Sequence, residues 1–443
     1  MLRHAVLGLV LAVFLPAARA QVPAGVDPGI WDAVRSIRAI DDHAHPPALP
    51  VNGVADTNYD ALPCPPGDPT QPTLVSRPDN PAFLAAAKAL FGYPYTDRSP
   101  AHLKELAAAT QRLQRQQGSN YRNWVLDRLG IETELANRVA MGPGLAPPRF
   151  RWVAFDDALL LPFDDRELAA GSPDRAWFYP REDRLLAGDL RSLGLAHRPG
   201  TLETYIAQVV LPTLARQQRQ GAVAIKFEAA HLRPLNFAPP QARAAALYAR
   251  FAAGGAPNPD EAYAIEDAIF HAVAVEAGKL GLAVHFHTGF GCGAYFDLAG
   301  SNPMLLLGVF NDPSLRHTNF VLLHGGNGPF TRIAGVLAAK PNVYLDTSGL
   351  TWLVTTAELA RVLRYWLELY PDKVLFGTDA SPGSLPADWE EMGWQTSQSV
   401  RTALAAALTG MMRSGEIARP QAEAMAHAVL HDNAARLYGW NRQ

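Results

Sequence analysis

The sequence has 443 residues, of which 48% are hydrophobic and 18% charged, with 39 basic and 42 acidic side chains and a formal net charge of −3. This composition is typical of a globular protein and excludes intrinsic disorder, collagen and long coiled coils. Because the charge is nearly balanced and no run of like charge occurs, we expect a small-molecule substrate as partner, with no nucleic acid and no anionic membrane surface.

The first twenty residues differ from the rest of the chain. Arg3 and His4 precede an apolar run at 5–15, and a small-residue triplet at 18–20 follows Pro16. This pattern is typical of a secretory signal peptide, and the apolar run is too short to span a bilayer. We therefore expect a periplasmic or secreted protein whose mature chain begins at Gln21, without membrane attachment after cleavage. Residues 21–443 are expected to form a single domain.

The two cysteines, Cys64 and Cys292, are too few for a fold built on disulfides. In an oxidising compartment they could pair with each other, or they could remain separate thiols. The sequence leaves both alternatives open, because pairing depends on the distance between their Cα atoms.

Short apolar runs that end in turn residues predict eight strands, and helical patterns lie between them. The predicted strands cover 36–45, 132–141, 150–161, 221–228, 282–288, 320–324, 343–348 and 374–379. The predicted helices include 101–117, 121–129, 260–280, 330–339, 356–370, 395–412 and 420–438. Alternation of strands and helices predicts an α/β fold with a parallel sheet, and eight strands close a (β/α)8 TIM barrel. C-terminal helices follow the last strand.

Two stretches exceed what a minimal barrel needs. One is the Pro-rich segment 46–81, which continues through helical patterns to about residue 120, and the other is 162–200. We expect both to be insertions in strand-to-helix loops, where pockets and lids are usually built. The Ala-rich helices of the tail would suit either packing on the barrel or the interface of a homo-oligomer.

Histidines are concentrated where the strands are predicted to end. The residues at these ends are His43, His45, His285, His287, His324 and Asp379. Residues two apart on a strand point to the same side, and in a parallel barrel all carboxyl ends open onto one face. Because imidazoles and a carboxylate are the ligands of zinc and related ions, the pattern predicts a divalent metal site.

Lys226 and Glu228 are predicted to point into the barrel, since they alternate with Ile225 and Phe227 on the fourth strand. A buried lysine is costly without a partner. Lys226 could bind substrate or, once carboxylated, bridge two metal ions. Alternatively it could form a structural ion pair with Glu228 or Asp379.

Arg233 follows the fourth strand and is expected at the rim of the pocket. Its guanidinium group would suit a substrate carboxylate. The alternative is an arginine solvated on a loop.

Taken together, these residues resemble a known family. The motifs are His43-x-His45, Lys226, His287-Thr288-Gly289, His324-Gly325-Gly326, Gly377-Thr378-Asp379 and a closing segment from His431 to Tyr438. Their order is similar to that of the amidohydrolase superfamily and, within it, to the amidohydrolase-related branch, which includes amidohydrolase domains fused to glutamine synthetase.

The resemblance implies a role for each matching residue. His43, His45 and His287 would hold a divalent metal together with Asp379, and His324 would act in catalysis or bind a second metal. Lys226 stands where members with two metals carry a carboxylated lysine. His285 and Glu228 would lie behind these ligands. The implied cofactor is one zinc ion, or two if Lys226 is carboxylated.

The implied activity is hydrolysis of a C–N or related bond of a small molecule that could carry a carboxylate. Asp379 would accept a proton from the metal-activated water and pass it to the leaving group. A metal-dependent decarboxylase, another lyase or an isomerase on the same scaffold is an alternative. A periplasmic binding protein without catalytic activity is a second alternative.

Overall fold

The computed structural model describes residues 21–54, 56–65, 70–383 and 387–440. The predicted signal peptide, residues 1–20, lies outside these ranges. No helix within the described ranges is long and apolar enough to cross a membrane.

Eight parallel strands form a nearly closed barrel, as predicted, and they are hydrogen-bonded in the order in which they occur along the chain. The strands are β1 (Ala39–Ala44), β2 (Ile131–Arg138), β3 (Phe150–Phe155), β4 (Ala222–Phe227), β5 (Ala283–His287), β6 (Phe320–Leu323), β7 (Val343–Asp346) and β8 (Val374–Leu375). Backbone bonds cross the seam between the last and first strands. The Asp42 amide donates to the Phe376 carbonyl over 2.8 Å, and the Asp379 amide donates to the His43 carbonyl over 2.7 Å.

Helices surround this barrel and close its lower end. They are α1 (Pro28–Ser36), α2 (Pro81–Phe91), α3 (Pro100–Gln117), α4 (Tyr121–Leu129), α5 (Asp157–Leu160), α6 (Arg166–Ala169), α7 (Pro173–Ser192), α8 (Leu202–Tyr205), α9 (Leu211–Arg219), α10 (Ala244–Ala252), α11 (Pro259–Leu280), α12 (Leu307–Phe310), α13 (Thr331–Leu337), α14 (Leu350–Leu353), α15 (Thr356–Leu369), α16 (Trp389–Arg413), α17 (Arg419–His427) and α18 (Asn433–Leu437). Single π-helical turns, Ile206–Val210 and Ala428–Asp432, join α8 to α9 and α17 to α18.

Local sequence explains where α11, one of the longest helices around the barrel, begins and ends. At the start of α11, the Asn258 side chain accepts from the Glu261 amide while the Glu261 side chain accepts from the Asn258 amide. Pro259 follows the cap, where its missing N–H costs no helical bond. The helix ends at Gly281, whose φ of 72° is a conformation that glycine adopts without strain.

Several element boundaries differ from the prediction, and three of the differences have a clear local cause. The third strand ends at Phe155 rather than at residue 161, because α5 begins immediately after Asp156. The eighth strand pairs with β7 only over Val374–Leu375, since the residues beyond it bond to β1 instead. The predicted tail helix 420–438 is interrupted by the π-helical turn.

The barrel has two apolar layers. Ile225 and Phe227 belong to the layer between strands and helices, so Lys226 points inward as predicted. The floor of the interior is a separate cluster, which α18 seals from below. Its members are Ile40, Leu135, Val153, Ala224, Ala283, Val321, Leu323 and Leu375, together with Ala434 and Ala435 of α18.

A disulfide ties together the loops that follow β1 and β5. Cys64 and Cys292 are paired, with their Cα atoms 5.7 Å apart and 228 positions apart in sequence. The structure thus decides between the two alternatives that the sequence left open. The described part of segment 46–80 is mostly irregular, with one backbone bridge between Val51 and Val54. The segment 162–200, by contrast, contains α6 and α7.

Asp165, in this second segment, is 6% exposed, and its Oδ2 has no hydrogen-bond partner among the described residues. Burial, with help from the nearby carboxylate of Glu266, raises the pKa of Asp165 to about 9. An aspartate in the unfolded chain has a pKa of about 4. The folded state therefore binds this proton more tightly than the unfolded state does.

We predict that removing the disulfide lowers the thermal stability. In the chain-entropy model a loop of this length contributes up to about 5 kcal/mol, and about 2–4 kcal/mol is typical. The double variant Cys64→Ser, Cys292→Ser should show a lower Tm in scanning calorimetry, and reductant should lower the Tm of the natural chain but not of the variant. Equal Tm values for the oxidised natural chain and the variant would contradict this prediction.

We also predict that Asp165 destabilises the fold as the pH rises. Below about pH 4 the carboxyl is neutral in both states, whereas between about pH 4 and 9 stability declines by roughly 1.4 kcal/mol per pH unit for this group. Asp165→Asn should therefore be increasingly more stable than the natural chain between pH 5 and 8 in urea unfolding. Asp164→Asn is the control, because the pKa of Asp164 is lowered by its hydrogen bond with Arg166. A constant difference across this pH range would disprove the assignment.

Candidate active site

The structure brings the histidines and the aspartate at the strand ends together at the carboxyl end of the barrel. The residues that meet there are His43, His45, Lys226, His287, His324 and Asp379, and each is at least 90% buried. They come from β1, β4 and β5 and from the turns after β6 and β8. Residues separated by more than 300 positions thereby share one site.

Asp379 is the centre of this arrangement. Its Oδ1 lies 3.1 Å from His43 Nε2 and 3.5 Å from His45 Nε2, and its Oδ2 lies 3.6 Å from His324 Nδ1. Burial alone would raise the pKa of Asp379, but His324, His45 and Lys226 outweigh it and hold the pKa below its ordinary value. The carboxylate is therefore ionised at neutral pH.

A chain of hydrogen bonds fixes the tautomers of two rings. The Ser348 hydroxyl donates to Asp346 Oδ1 over 2.8 Å, so Ser348 Oγ must accept from His324 Nδ1, 2.9 Å away. His324 Nε2 is then an acceptor, and it accepts a hydrogen bond from His287 Nδ1–H over 3.0 Å. The assignment leaves a lone pair on His287 Nε2, a buried atom without a partner among the described residues.

His45 is oriented in a similar way by the loop after β1. Its Nδ1 donates to the Tyr59 carbonyl over 2.9 Å, and its Nε2 faces Asp379. Burial would lower the pKa of His45, but the carboxylates of Asp60 and Asp379 outweigh it and raise the pKa. A positive charge is therefore favoured between His45 Nε2 and Asp379 Oδ1.

Burial makes most of the other rings neutral. It lowers the pKa of His324 and His285 to about 3, and it holds the pKa of His43 and His287 well below the ordinary value. Neutral imidazole is the form of histidine that binds a metal.

Lys226 forms an ion pair with Glu228, one of the alternatives that the sequence left open. Its Nζ lies 3.1 Å from Glu228 Oε1 and 3.3 Å from His43 Nε2, and 5.4 Å from the centre of the Phe155 ring. The lysine thus connects the histidine cluster to the end of β4.

His285 lies deeper in the barrel, as its position on β5 predicts. His285 Nε2 is 2.9 Å from the hydroxyl of Tyr438, which donates to Asp42 Oδ1 over 2.5 Å. A residue that follows α18 therefore reaches the interior from below and supports the layer of residues beneath the site.

The predicted position of Arg233 at the pocket rim was wrong. Arg233 is 3% exposed, and its two terminal nitrogens each lie 2.8 Å from a carboxylate oxygen, of Glu266 and Asp267. The rings of Phe237 and Tyr263 pack against its guanidinium group. This packing leaves no free guanidinium edge for a substrate carboxylate.

Backbone strain occurs at two of the site residues. His324 has φ of 64° and Asp379 has φ of 58°, and Asn52 is the third non-glycine residue with positive φ among those described. Such conformations are disfavoured in residues with a Cβ and concentrate at functional sites. The backbone N–H of Asp379 donates a hydrogen bond to the His43 carbonyl, and this bond holds Asp379 in its conformation.

Several residues of the site escaped the sequence analysis. Asp346 is the last residue of β7, and the strand-end rule that found His324 could have found it too. Ser348 lies at the predicted end of the same strand, but its contact with His324 was not predicted. His231 lies on the loop after β4, with its ring centre 4.5 Å from that of His287. Asp60 lies on the irregular loop after β1, where no periodic pattern signals its position.

The donor set fits a divalent metal ion. One nitrogen each of His43 and His324 and one oxygen of Asp379 lie within 4.8 Å of one another. His43 and Asp379 are predicted ligands, whereas both ring nitrogens of His324 are already bonded, to Ser348 and His287. A bound metal ion would also occupy the lone pair on His287 Nε2 and supply the positive charge that is favoured beside His45. Imidazole and carboxylate donors suit zinc and neighbouring ions.

Comparison with solved structures supports the fold. A protein from Lactobacillus casei described as a metal-dependent hydrolase aligns over 93% of this chain and 98% of its own, with a TM-score of 0.58 and 18% identity. Glucuronate isomerase from Caulobacter crescentus aligns over 94% of each chain, with a TM-score of 0.54 and 14% identity. At these identities the likeness concerns the fold alone.

Comparison of sequences identifies the family. Protein fluG of Emericella nidulans is 32% identical over 162 residues, which are 36% of this chain and 18% of fluG. The family model described as Amidohydrolase matches residues 198–440, more than half of the chain. The match includes Lys226, His287, His324 and Asp379, whereas His43 and His45 precede it. The chain belongs to the amidohydrolase family.

Proposed function

We propose that the protein is a metal-dependent hydrolase that cleaves a C–N or related bond of a small molecule. The observation that carries the proposal is the donor set around Asp379, in which neutral imidazoles and an ionised carboxylate converge at the open end of the barrel. The predicted ligands His43, His45, His287 and Asp379 would hold one zinc ion. A bound zinc ion would supply an activated water at neutral pH and polarise the scissile carbonyl.

The protein's own groups provide the proton transfers. Asp379 is ionised and can accept a proton from the attacking water at Oδ2, then pass it to the leaving nitrogen. His324 is hydrogen-bonded to Ser348 and to His287. Its ring thereby orients His287, one of the predicted metal ligands. Lys226 would bind substrate or, if two metal ions are present, serve as their carboxylated bridge.

A reaction in labelled water tests hydrolysis. The zinc-loaded chain is incubated with a panel of small amides and dipeptides in ¹⁸O-water, and products are analysed by mass spectrometry. Hydrolysis places one solvent oxygen in the acyl product, and Asp379→Asn should lower kcat at least about a hundredfold. Release of carbon dioxide, or an isomer without label, would instead assign a decarboxylase or an isomerase. A metal-loaded chain without turnover on any class would favour a binding protein.

We predict that the chain binds zinc through the clustered histidines. About one ion per chain should be found by mass spectrometry of the purified protein, and two would indicate carboxylation of Lys226. The double variant His43→Ala, His45→Ala should lose the metal. His271→Ala is the control, because His271 lies on α11 and contacts Ser314. Equal metal content in both variants would contradict the proposed ligands.

We further propose that the protein is exported to the periplasm or secreted. The support is the Cys64–Cys292 disulfide, since such bonds persist in oxidising compartments. N-terminal sequencing of the protein from its native cells should find a chain that begins at Gln21. A chain that begins at Met1, with both thiols reduced, would overturn the proposal.

A further inference from the structure

Beside the histidine cluster lies a group of carboxylates, three of them buried and one half-buried, that the proposed chemistry does not use. We call it the acidic pocket, and it consists of Asp60, Asp157, Glu182 and Glu228. These residues come from the loop after β1, the first residue of α5, the middle of α7 and the end of β4. Elements from four parts of the chain thus place like charges together at the carboxyl end of the barrel.

The acidic pocket adjoins the histidine cluster through Lys226. Its Nζ contacts both Glu228 Oε1 and His43 Nε2, so one lysine head group separates the two. The Glu228 amide donates to Asp157 Oδ2 over 2.8 Å, which joins the next carboxylate to the group. Asp60 is half-buried, whereas the other three members are almost completely buried.

Four carboxylate oxygens of the pocket are buried and have no hydrogen-bond partner among the described residues. They are Glu182 Oε1, Glu182 Oε2, Glu228 Oε2 and Asp157 Oδ1. Glu182 is the most telling of these residues, because its side chain is 1% exposed and both of its oxygens lack a partner. Burial and the neighbouring carboxylates of Asp157 and Glu228 raise the pKa of Glu182 well above its ordinary value. A buried carboxyl group surrounded by others either keeps its proton or, when it is ionised, needs a cation to compensate it.

Lys226 provides only part of this compensation. Lys226 is paired with Glu228 through Oε1, which leaves Oε2 without a partner. Arg233, the arginine predicted to face the substrate, is held by Glu266 and Asp267. The pocket therefore has acceptors that the described part of the chain leaves unmatched.

We propose that the acidic pocket binds a primary ammonium group of the substrate, close to the bond that is cleaved. This inference rests on the proposed function, because it assumes that the bound amine belongs to a molecule that reacts beside Asp379. An ammonium group has three donors and no acceptor, which matches a site whose unpartnered atoms are carboxylate oxygens. Hydrogen bonds between such charged partners are the strong ones in proteins. The substrate is then cationic at this end, rather than the carboxylate-bearing molecule expected from Arg233.

Calorimetric titration of the zinc-loaded full chain tests the inference without any need for turnover. The probes are 1,4-diaminobutane, its neutral counterpart 1,4-butanediol and its anionic counterpart succinate. We expect binding of the diamine alone. Glu182→Gln, which removes the charge but keeps the shape, should weaken diamine binding about tenfold or more. Asp60→Asn should act in the same direction, and because Asp60 is half-buried this variant keeps the test available if Glu182→Gln does not fold.

Asp156→Asn is the matched control. Asp156 is as buried as Asp157 and precedes it directly, but its Oδ1 accepts from Gln217 Nε2 of α9 over 2.7 Å, whereas Asp157 Oδ2 accepts from the amide of Glu228, a member of the acidic pocket. This variant should bind the diamine as the natural chain does.

Tighter binding of succinate than of the diamine, or equal diamine binding by Glu182→Gln and the natural chain, would overturn the inference. A calcium titration is a further test, since Ca²⁺ binding that is lost in Glu182→Gln would assign an inorganic cation site instead. Diamine binding without hydrolysis of any amide would separate a failure of the proposed function from a failure of this inference.

Discussion

The structure depends on one constraint, which is that the Asp379 carboxylate stays ionised while it is almost completely buried. A charge in such a place requires compensation. The positive charge favoured at His45 and the nearby Lys226 supply it, while the rings of His43 and His324 also approach the two oxygens. This convergence depends on the seam between β8 and β1, on the strained backbone of Asp379 and on the orientation of the rings. The barrel supplies rigid strand ends at which these groups meet without a further loss of conformational entropy.

The polar groups of the barrel form layers along its axis. At the floor, Tyr438 joins His285 to Asp42, and above them Asp346 and its serine hold His324. Each layer fixes the one above it, because hydrogen-bond donors and acceptors in a dry interior have few alternative partners. The orientation of the rings at the mouth is therefore determined partly from below.

Much of this arrangement could be predicted from the sequence, because strands and helices repeat at regular intervals along the chain. Strand alternation placed Lys226 inside, and the rule that strand ends converge in a parallel barrel located His43, His287 and Asp379. Loops follow no such period, so the burial of Arg233 between carboxylates and the approach of Asp60 could not be predicted. Tautomers were equally out of reach, because they depend on contacts between side chains from different strands. The pairing of the cysteines likewise required the distance between two loops.

The closure of the barrel by its first and last strands has a consequence for assembly. His43 lies near one end of the described chain, and Asp379 follows the eighth strand, so the cluster forms only when the ring closes over more than 300 intervening residues. Contacts between distant parts of a chain form slowly, since the entropy of closing long loops must first be overcome. A chain still emerging during synthesis would hold its histidines apart and offer an ion no complete set of ligands. Loading would therefore follow folding, and the ion would be drawn from whichever compartment the finished barrel occupies.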